Sequence, residues 1–92
     1  MIVSFDCAET EELFTQGRSK KFANFRSVAE RKLQQLDSAA TLEFLVSPPG
    51  NHLEALTKDR AGQHSIRVNK QWRICFVWTD KGPANVEIVD YH

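Results

Sequence analysis

The sequence predicts an α+β domain in which two to three N-terminal helices pack on one face of a mainly antiparallel sheet, and three observations lead there. Apolar residues between Asn24 and Ala40 recur at three- and four-residue steps, the period of a helix with one buried stripe. After Ser47-Pro48-Pro49-Gly50-Asn51 the period becomes two, the period of strands. The runs that alternate are joined by links too short for anything but antiparallel neighbours. At 92 residues the chain is expected to form a single unit, 1–92, with a small core built from 41% hydrophobic residues.

Taken in order, Ile2 to Phe5 reads as a short strand, and Asp6 as the cap of a first helix. Glu9, Glu11 and Glu12 suit the positive end of that helix, and Gly17 ends it. The second helix, about Asn24 to Ala40, buries Phe25, Val28, Ala29, Leu33, Leu36 and Ala40, with Arg26, Arg31, Lys32 and Gln35 on its other sides. A helical turn is possible from Thr41 to Leu45 before the Pro-Pro-Gly loop. Strands follow at His64 to Asn69, Trp72 to Thr79 and Ala84 to Asp90, with a weaker one near Leu53 to Leu56. Alternation turns Ile66, Val68, Trp72, Ile74, Phe76, Trp78, Val86 and Ile88 toward the helices. Arg67, Arg73, Glu87 and Tyr91 point the other way, over an apolar floor of Cys75, Val77 and Val89. Arginines over an apolar floor suggest a binding face rather than plain solvated sheet.

The formal net charge is zero, which removes the simplest argument for a nucleic-acid binder, but the distribution restores it. From Arg18 to Lys32 six basic residues face one acid, and from Lys58 to Arg73 five face one. Local positive surface of this kind tracks phosphates, so Lys20 and Lys21 in the first run are candidate phosphate contacts, as are Lys58, Arg60 and Arg67 in the second. Solvated charged faces would read the same way. Cys7 and Cys75 stand in no metal-ligand spacing, alone or with His52, His64 and His92, so neither metal nor cofactor is expected. No basic head with a long apolar stretch follows Met1, and no run reaches the roughly 18 apolar residues of a membrane span. The expectation is a cytoplasmic protein with reduced thiols and no membrane partner.

Metal-independent RNA cleavage needs a base for the 2′-hydroxyl, cations for the phosphate and an acid for the leaving 5′-oxygen. His92 titrates near neutrality, Asp90 is placed to orient it, and Tyr91 to stack on a base or donate a hydrogen bond. A histidine at the end of a chain is also commonly a frayed end. Arg67 and Arg73 share one predicted face of adjacent strands, where guanidinium forks hold phosphates, though ordinary exposed arginines look alike. Glu54 is a candidate base or a surface acid. His64 is a candidate RNA contact or proton carrier, with a half-buried structural histidine as the alternative.

Lys58-Asp59-Arg60-Ala61-Gly62, Ser65-Ile66-Arg67-Val68, Gln71-Trp72-Arg73-Ile74 and Asp90-Tyr91-His92 together resemble the HigB toxins of the RelE-like family, over essentially the whole chain. The Ser27-Val28-Ala29-Glu30-Arg31-Lys32-Leu33 helix and the Ser47-Pro48-Pro49-Gly50-Asn51 loop are most similar to the GraT variant. The resemblance implies a RelE-like fold and ribosome-dependent cleavage of translated mRNA in the A site. It also implies a HigA-type antitoxin with a helix-turn-helix, through which alone operator DNA is contacted. It places the family's catalytic Asp-Tyr-His on Asp90, Tyr91 and His92 and its strand arginine on Arg73. Studied HigB enzymes carry a histidine where Glu54 stands, which implies a weaker intrinsic activity here. Two other functions remain open: a ParE-like toxin that binds DNA gyrase without cleaving RNA, and a pure protein-interaction module.

Overall fold

The computed structural model describes residues 1–90. Helix α1 spans Ala8–Gln16 and α2 spans Arg26–Ser38. Strands β1 (Glu54–Ala55), β2 (His64–Arg67), β3 (Trp72–Thr79) and β4 (Gly82–Asp90) form one antiparallel sheet in the order β1-β2-β3-β4. Short 3-10 turns occupy Ala23–Phe25, Leu42–Leu45 and Lys58–Arg60. The predicted α+β architecture is therefore present, with both helices on one side of the sheet.

The core lies between the layers. Leu13 of α1 and Leu33 and Leu36 of α2 are fully buried with Ile66, Ile74, Phe76 and Val86 of the sheet. These are the strand residues that alternation assigned to the helix side. Phe22 and Phe25 close one end of the core against Trp72, with ring centroids 5.6 and 5.4 Å from the indole.

The N-terminal segment departs from expectation. Instead of a strand over Ile2 to Phe5 it makes one parallel bridge, Phe5 to Val86. Val3 N donates to Pro83 O, Val86 N to Ser4 O and Asp6 N to Val86 O, so the segment still covers the outer edge of β4. A bulge on β4 limits the pairing: between the pairs Val77–Ala84 and Cys75–Glu87, Asn85 and Val86 stand against Phe76 alone, and Asn85 takes φ 53°. Where the segment leaves the edge, Thr10 Oγ1 accepts from Ile88 N at 3.0 Å and satisfies the next donor. Gly82, at φ 130°, lies against the Met1 carbonyl, where a Cβ has no room.

Asp6 does not cap α1. Its backbone is held by the edge of β4, and the helix begins two residues later with Cys7 extended at the cap and no side-chain cap bond. Gly17 ends the helix in the left-handed region as expected. Helix α2 stops at Ser38, because Ala39 turns extended, and so Ala39 rather than Ala40 is buried. β2 ends at Arg67 because Asn69 forms a turn, its Oδ1 accepting from Gln71 N and Trp72 N.

The larger departure is Lys32, assigned to a solvent side of α2 and found 5% exposed. Its Nζ donates to Oδ1 of Asn51, which is fully buried. Asn51 Nδ2 donates to Leu45 O at 3.1 Å and Gln35 Oε1 at 3.4 Å. Its backbone N donates to Pro48 O, and its carbonyl accepts from Arg67 N. One residue thus ties the Pro-Pro-Gly loop to α2 through its side chain and to β2 through its carbonyl. Asn51→Ala strands a buried ammonium and a buried carbonyl, and is expected to cost about 3 kcal/mol, read as a lower urea midpoint at unchanged m-value.

Candidate functional site

The sheet face turned away from the helices gathers the charged candidates. Register sets Glu54 opposite Ser65, Ser65 opposite Cys75 and Cys75 opposite Glu87, so these four make one row across the sheet. The next row on the same face is Arg67, Arg73 and Val89. Arg67 and Arg73 are direct cross-strand partners, which places both guanidinium groups on the side that alternation predicted.

Arg73 does not stand in open solvent. Only 9% exposed, it folds over Ser65, with Nε donating to Ser65 Oγ at 2.7 Å and Nη2 to the Ser65 carbonyl at 3.3 Å and to the carbonyl of His52. The Glu54 carboxylate lies 3.7 Å from its Nε, with the Glu54 side chain half-exposed. Much of the guanidinium fork therefore holds the strand and loop around it, leaving its charge beside Glu54 at the surface.

A second pair sits at the other end of the row. Arg60 projects from the Lys58–Arg60 turn and donates to Glu87 Oε1 at 2.8 Å and to Gln63 Oε1 at 3.1 Å. The bond to Glu87 holds the guanidinium even more firmly protonated than usual, against a smaller opposing effect of burial. Between the pairs lies Cys75, fully buried, its thiol pushed up by burial despite the nearby Arg60 charge, so it is floor rather than nucleophile. The face thus carries two arginine–glutamate pairs on an apolar base. Arg67 lies outside both, its Nε donating to the Asn69 carbonyl at 3.2 Å.

Other candidates lie elsewhere. His64 is opposite Phe76 and stacks on it with centroids 6.3 Å apart, on the helix side of the sheet and away from Arg67 and Arg73. Its Nδ1 is buried with no hydrogen-bond partner among the described residues. Asp90 pairs in register with Trp72, again the helix-side row, and at the exposed end of β4 accepts from Gln71 Nε2 at 2.8 Å. Lys58 is exposed in its turn, with φ 57°. Lys20 and Lys21 belong to the helix layer, where they share a surface cleft with Arg18, Arg26, Glu9 and Glu12. Tyr91 and His92 lie outside the described residues.

Sequence reading missed the partners rather than the participants. Glu87 had been assigned to this face without a role, and its pairing with Arg60 spans 27 positions. Nothing in local spacing marks Ser65 or the His52 carbonyl as the seat of Arg73.

Comparisons with known proteins agree with the resemblance. The family described as HigB-like toxin, RelE-like toxin of type II toxin-antitoxin system HigB, matches residues 5–92. Toxin HigB-1 of Vibrio cholerae serotype O1 is 50% identical over 62 residues, which are 67% of this chain and 64% of that protein. The match thus spans just under two thirds of that relative's length. An uncharacterized protein of Haemophilus influenzae is 37% identical over 68 residues, 74% of this chain and 67% of that one. Among solved structures, the YoeB-YefM complex from Staphylococcus aureus contains a chain similar in fold, with a TM-score of 0.62 over 100% of this chain and 98% of that chain, at 17% identity.

The two ends of the Arg73 network differ in burial, and that difference is measurable. Ser65→Ala removes a buried acceptor from a charged donor and is expected to lower stability by roughly 1.5–3 kcal/mol. Glu54→Ala removes a half-exposed ion pair at 3.7 Å and is expected to cost less than about 0.5 kcal/mol. Urea titrations that rank the two the other way would show that Glu54, not Ser65, seats the arginine.

Proposed function

This chain belongs to the HigB-like toxins, RelE-like toxins of type II toxin–antitoxin systems, and from that premise we propose that it is a metal-independent, ribosome-dependent endoribonuclease that cuts translated mRNA and so inhibits translation and growth. The observation that carries this reading is the open sheet face. There Arg67 and Arg73 stand directly opposite one another with the Glu54 carboxylate 3.7 Å from Arg73 Nε. β4 passes beside Arg73 at Val89, and Asp90-Tyr91-His92 follow in the sequence.

In the proposed reaction a base removes the 2′-hydroxyl proton, and the 2′-oxygen attacks the adjacent phosphorus. The bond to the 5′-oxygen breaks as an acid protonates that oxygen, leaving a 2′,3′-cyclic phosphate and a 5′-hydroxyl. His92 is the proton carrier, Tyr91 stacks on a base or donates to the phosphate, and Asp90 orients the end of the strand. Arg73 supplies fixed positive charge, and Arg67 contacts the neighbouring phosphate with Lys58 and Arg60 at the rim. Lys20 and Lys21, on the helix layer, serve contacts to ribosomal RNA rather than to the scissile linkage. Glu54 beside Arg73 suits a proton acceptor, so donation to the leaving oxygen falls to His92. An active site with so few groups gains from a ribosome that holds its substrate in line.

Within this proposal the protein acts in the cytoplasm, pairs with a HigA-type helix-turn-helix antitoxin and meets operator DNA only through it. The likeness of the Ser27–Leu33 helix and the Pro-Pro-Gly loop to GraT supports a relation to that variant within the family. Purified protein added to translating ribosomes is expected to generate mRNA fragments with 5′-hydroxyl ends inside the open reading frame while sparing naked transcript. His92→Gln is expected to lower the single-turnover rate by about 10²–10⁴. Intact transcripts would sink the reading. If His92→Gln kept full toxicity and gyrase supercoiling fell instead, the ParE-like function would replace it.

A further inference from the structure

A second cationic cluster lies outside the open face, in a cleft of about 360 Å³ between α2, the Pro-Pro-Gly loop and the end of β2. Arg31, Lys32, Arg67 and Lys70 line it, over an apolar floor that includes Val28 and Val68. Among the described residues no carboxylate lines this cleft, and none of the four cations makes an ion pair there. The contrast with the open face is direct, because Arg60 and Arg73 each have a glutamate beside them.

Lys32 makes the contrast costly. It is 5% exposed, and among the described residues its only acceptor is Asn51 Oδ1, so two of its three N–H donors are unaccounted for. Burial, and secondarily the Arg31 charge, hold its pKa below the ordinary lysine range. A buried cation with a cationic neighbour and no counter-ion is destabilising unless an anion binds against it. Gly50 on the cleft wall, at φ 84°, has nothing within 4 Å of where a Cβ would stand, so the backbone leaves the entrance open.

We propose that this cleft is a phosphodiester-binding site for single-stranded RNA, separate from the linkage cut on the open face. The identity of the ligand rests on the RNA-cleaving function proposed above. Continuity favours RNA over an acidic protein segment: Arg67 lines the cleft and is also the cross-strand partner of Arg73. A strand whose reacting phosphate lies at Arg73 passes Arg67 and places another phosphate against Arg31, Lys32 and Lys70. The site anchors the substrate and takes no part in the chemistry.

The test uses the full chain, isotopically labelled, titrated with a short 2′-O-methyl oligoribonucleotide that cannot be cut, and in parallel with a poly-glutamate peptide. Arg31→Ala/Lys70→Ala removes two exposed side chains that form no ion pair, so the fold is retained, as a matching amide spectrum will verify. Oligonucleotide binding is expected to shift the amides of Arg31, Gly50 and Lys70. The double variant is expected to bind about tenfold more weakly, with a salt dependence shallower by about 1.4 in the log–log slope, the loss of two single-strand phosphate contacts. Unchanged affinity, or shifts confined to Glu54 and Arg73, overturns the proposal. A poly-glutamate peptide that shifts the same amides at lower concentration overturns it as well and assigns the cleft to an acidic protein partner. Because the probe is not cleaved, binding here with intact transcripts on ribosomes removes the nuclease reading alone, whereas cut transcripts with a silent cleft remove this site alone.

Discussion

Asn51 is the constraint on which the rest of the arrangement depends. It is fully buried in a loop, where backbone polar groups ordinarily face water, and its side chain and backbone bond to α2, to Leu45, to Pro48 and to β2. The next residue, His52, takes φ 45° and presents its carbonyl to Arg73. The seat of the arginine is therefore built by a loop that the sheet alone does not position. A fault at Asn51 propagates to Arg73 by one peptide unit and to Arg67 through the hydrogen bond from its backbone N–H.

The same loop divides the positive charge into two kinds. On the open face, Glu54 and Glu87 stand beside Arg73 and Arg60, so those cations are locally balanced and rigidly held. At the cleft behind the loop, Lys32 and Arg31 make no ion pair with a described residue. Fixed, balanced charges suit a site that must stabilise a transition state without rearranging, because their orientation is already set. Unbalanced charges suit capture of a polyanion, because they exchange diffuse counter-ions for phosphates. A formal net charge of zero conceals both, since twelve acids spread over the chain, three of them on α1, cancel the twelve basic residues.

How much of this the sequence carried follows from the range of the interactions. Period and punctuation are local, and they placed α2, β3, the Gly17 stop and the side of the sheet on which Arg67 and Arg73 lie. The helix-layer placement of Lys20 and Lys21 needed the packing of the layers. For His64 and Asp90 the side of the sheet is legible, since they share parity with Ile66 and Ile88, and the position of His64 on Phe76 suits the half-buried histidine that the sequence favours. Asp6 lost its capping role to backbone pairing with Val86, a contact 80 positions away that no local pattern encodes. Lys32 was read by residue type as solvent-facing, although it lies one helical turn from Ala29 and Leu36 on the buried side of α2. The signal was available in the spacing and was overruled by the expectation that lysines are exposed.

Glu54 shows how the two layers of argument meet. A histidine at that position would add a second group able to carry a proton in either direction, and would bring no fixed negative charge next to Arg73. The carboxylate does the reverse: it neutralises the arginine that the phosphate needs and offers only acceptance of a proton while ionised. In the proposed reaction an incoming phosphate would therefore share Arg73 with Glu54, which would weaken the hold on free RNA at that point and leave substrate placement to contacts elsewhere. For the nuclease proposed above, a site so arranged would depend on an outside scaffold to bring the linkage into line, and the physical consequence of that reading is selectivity for RNA already positioned over RNA in solution.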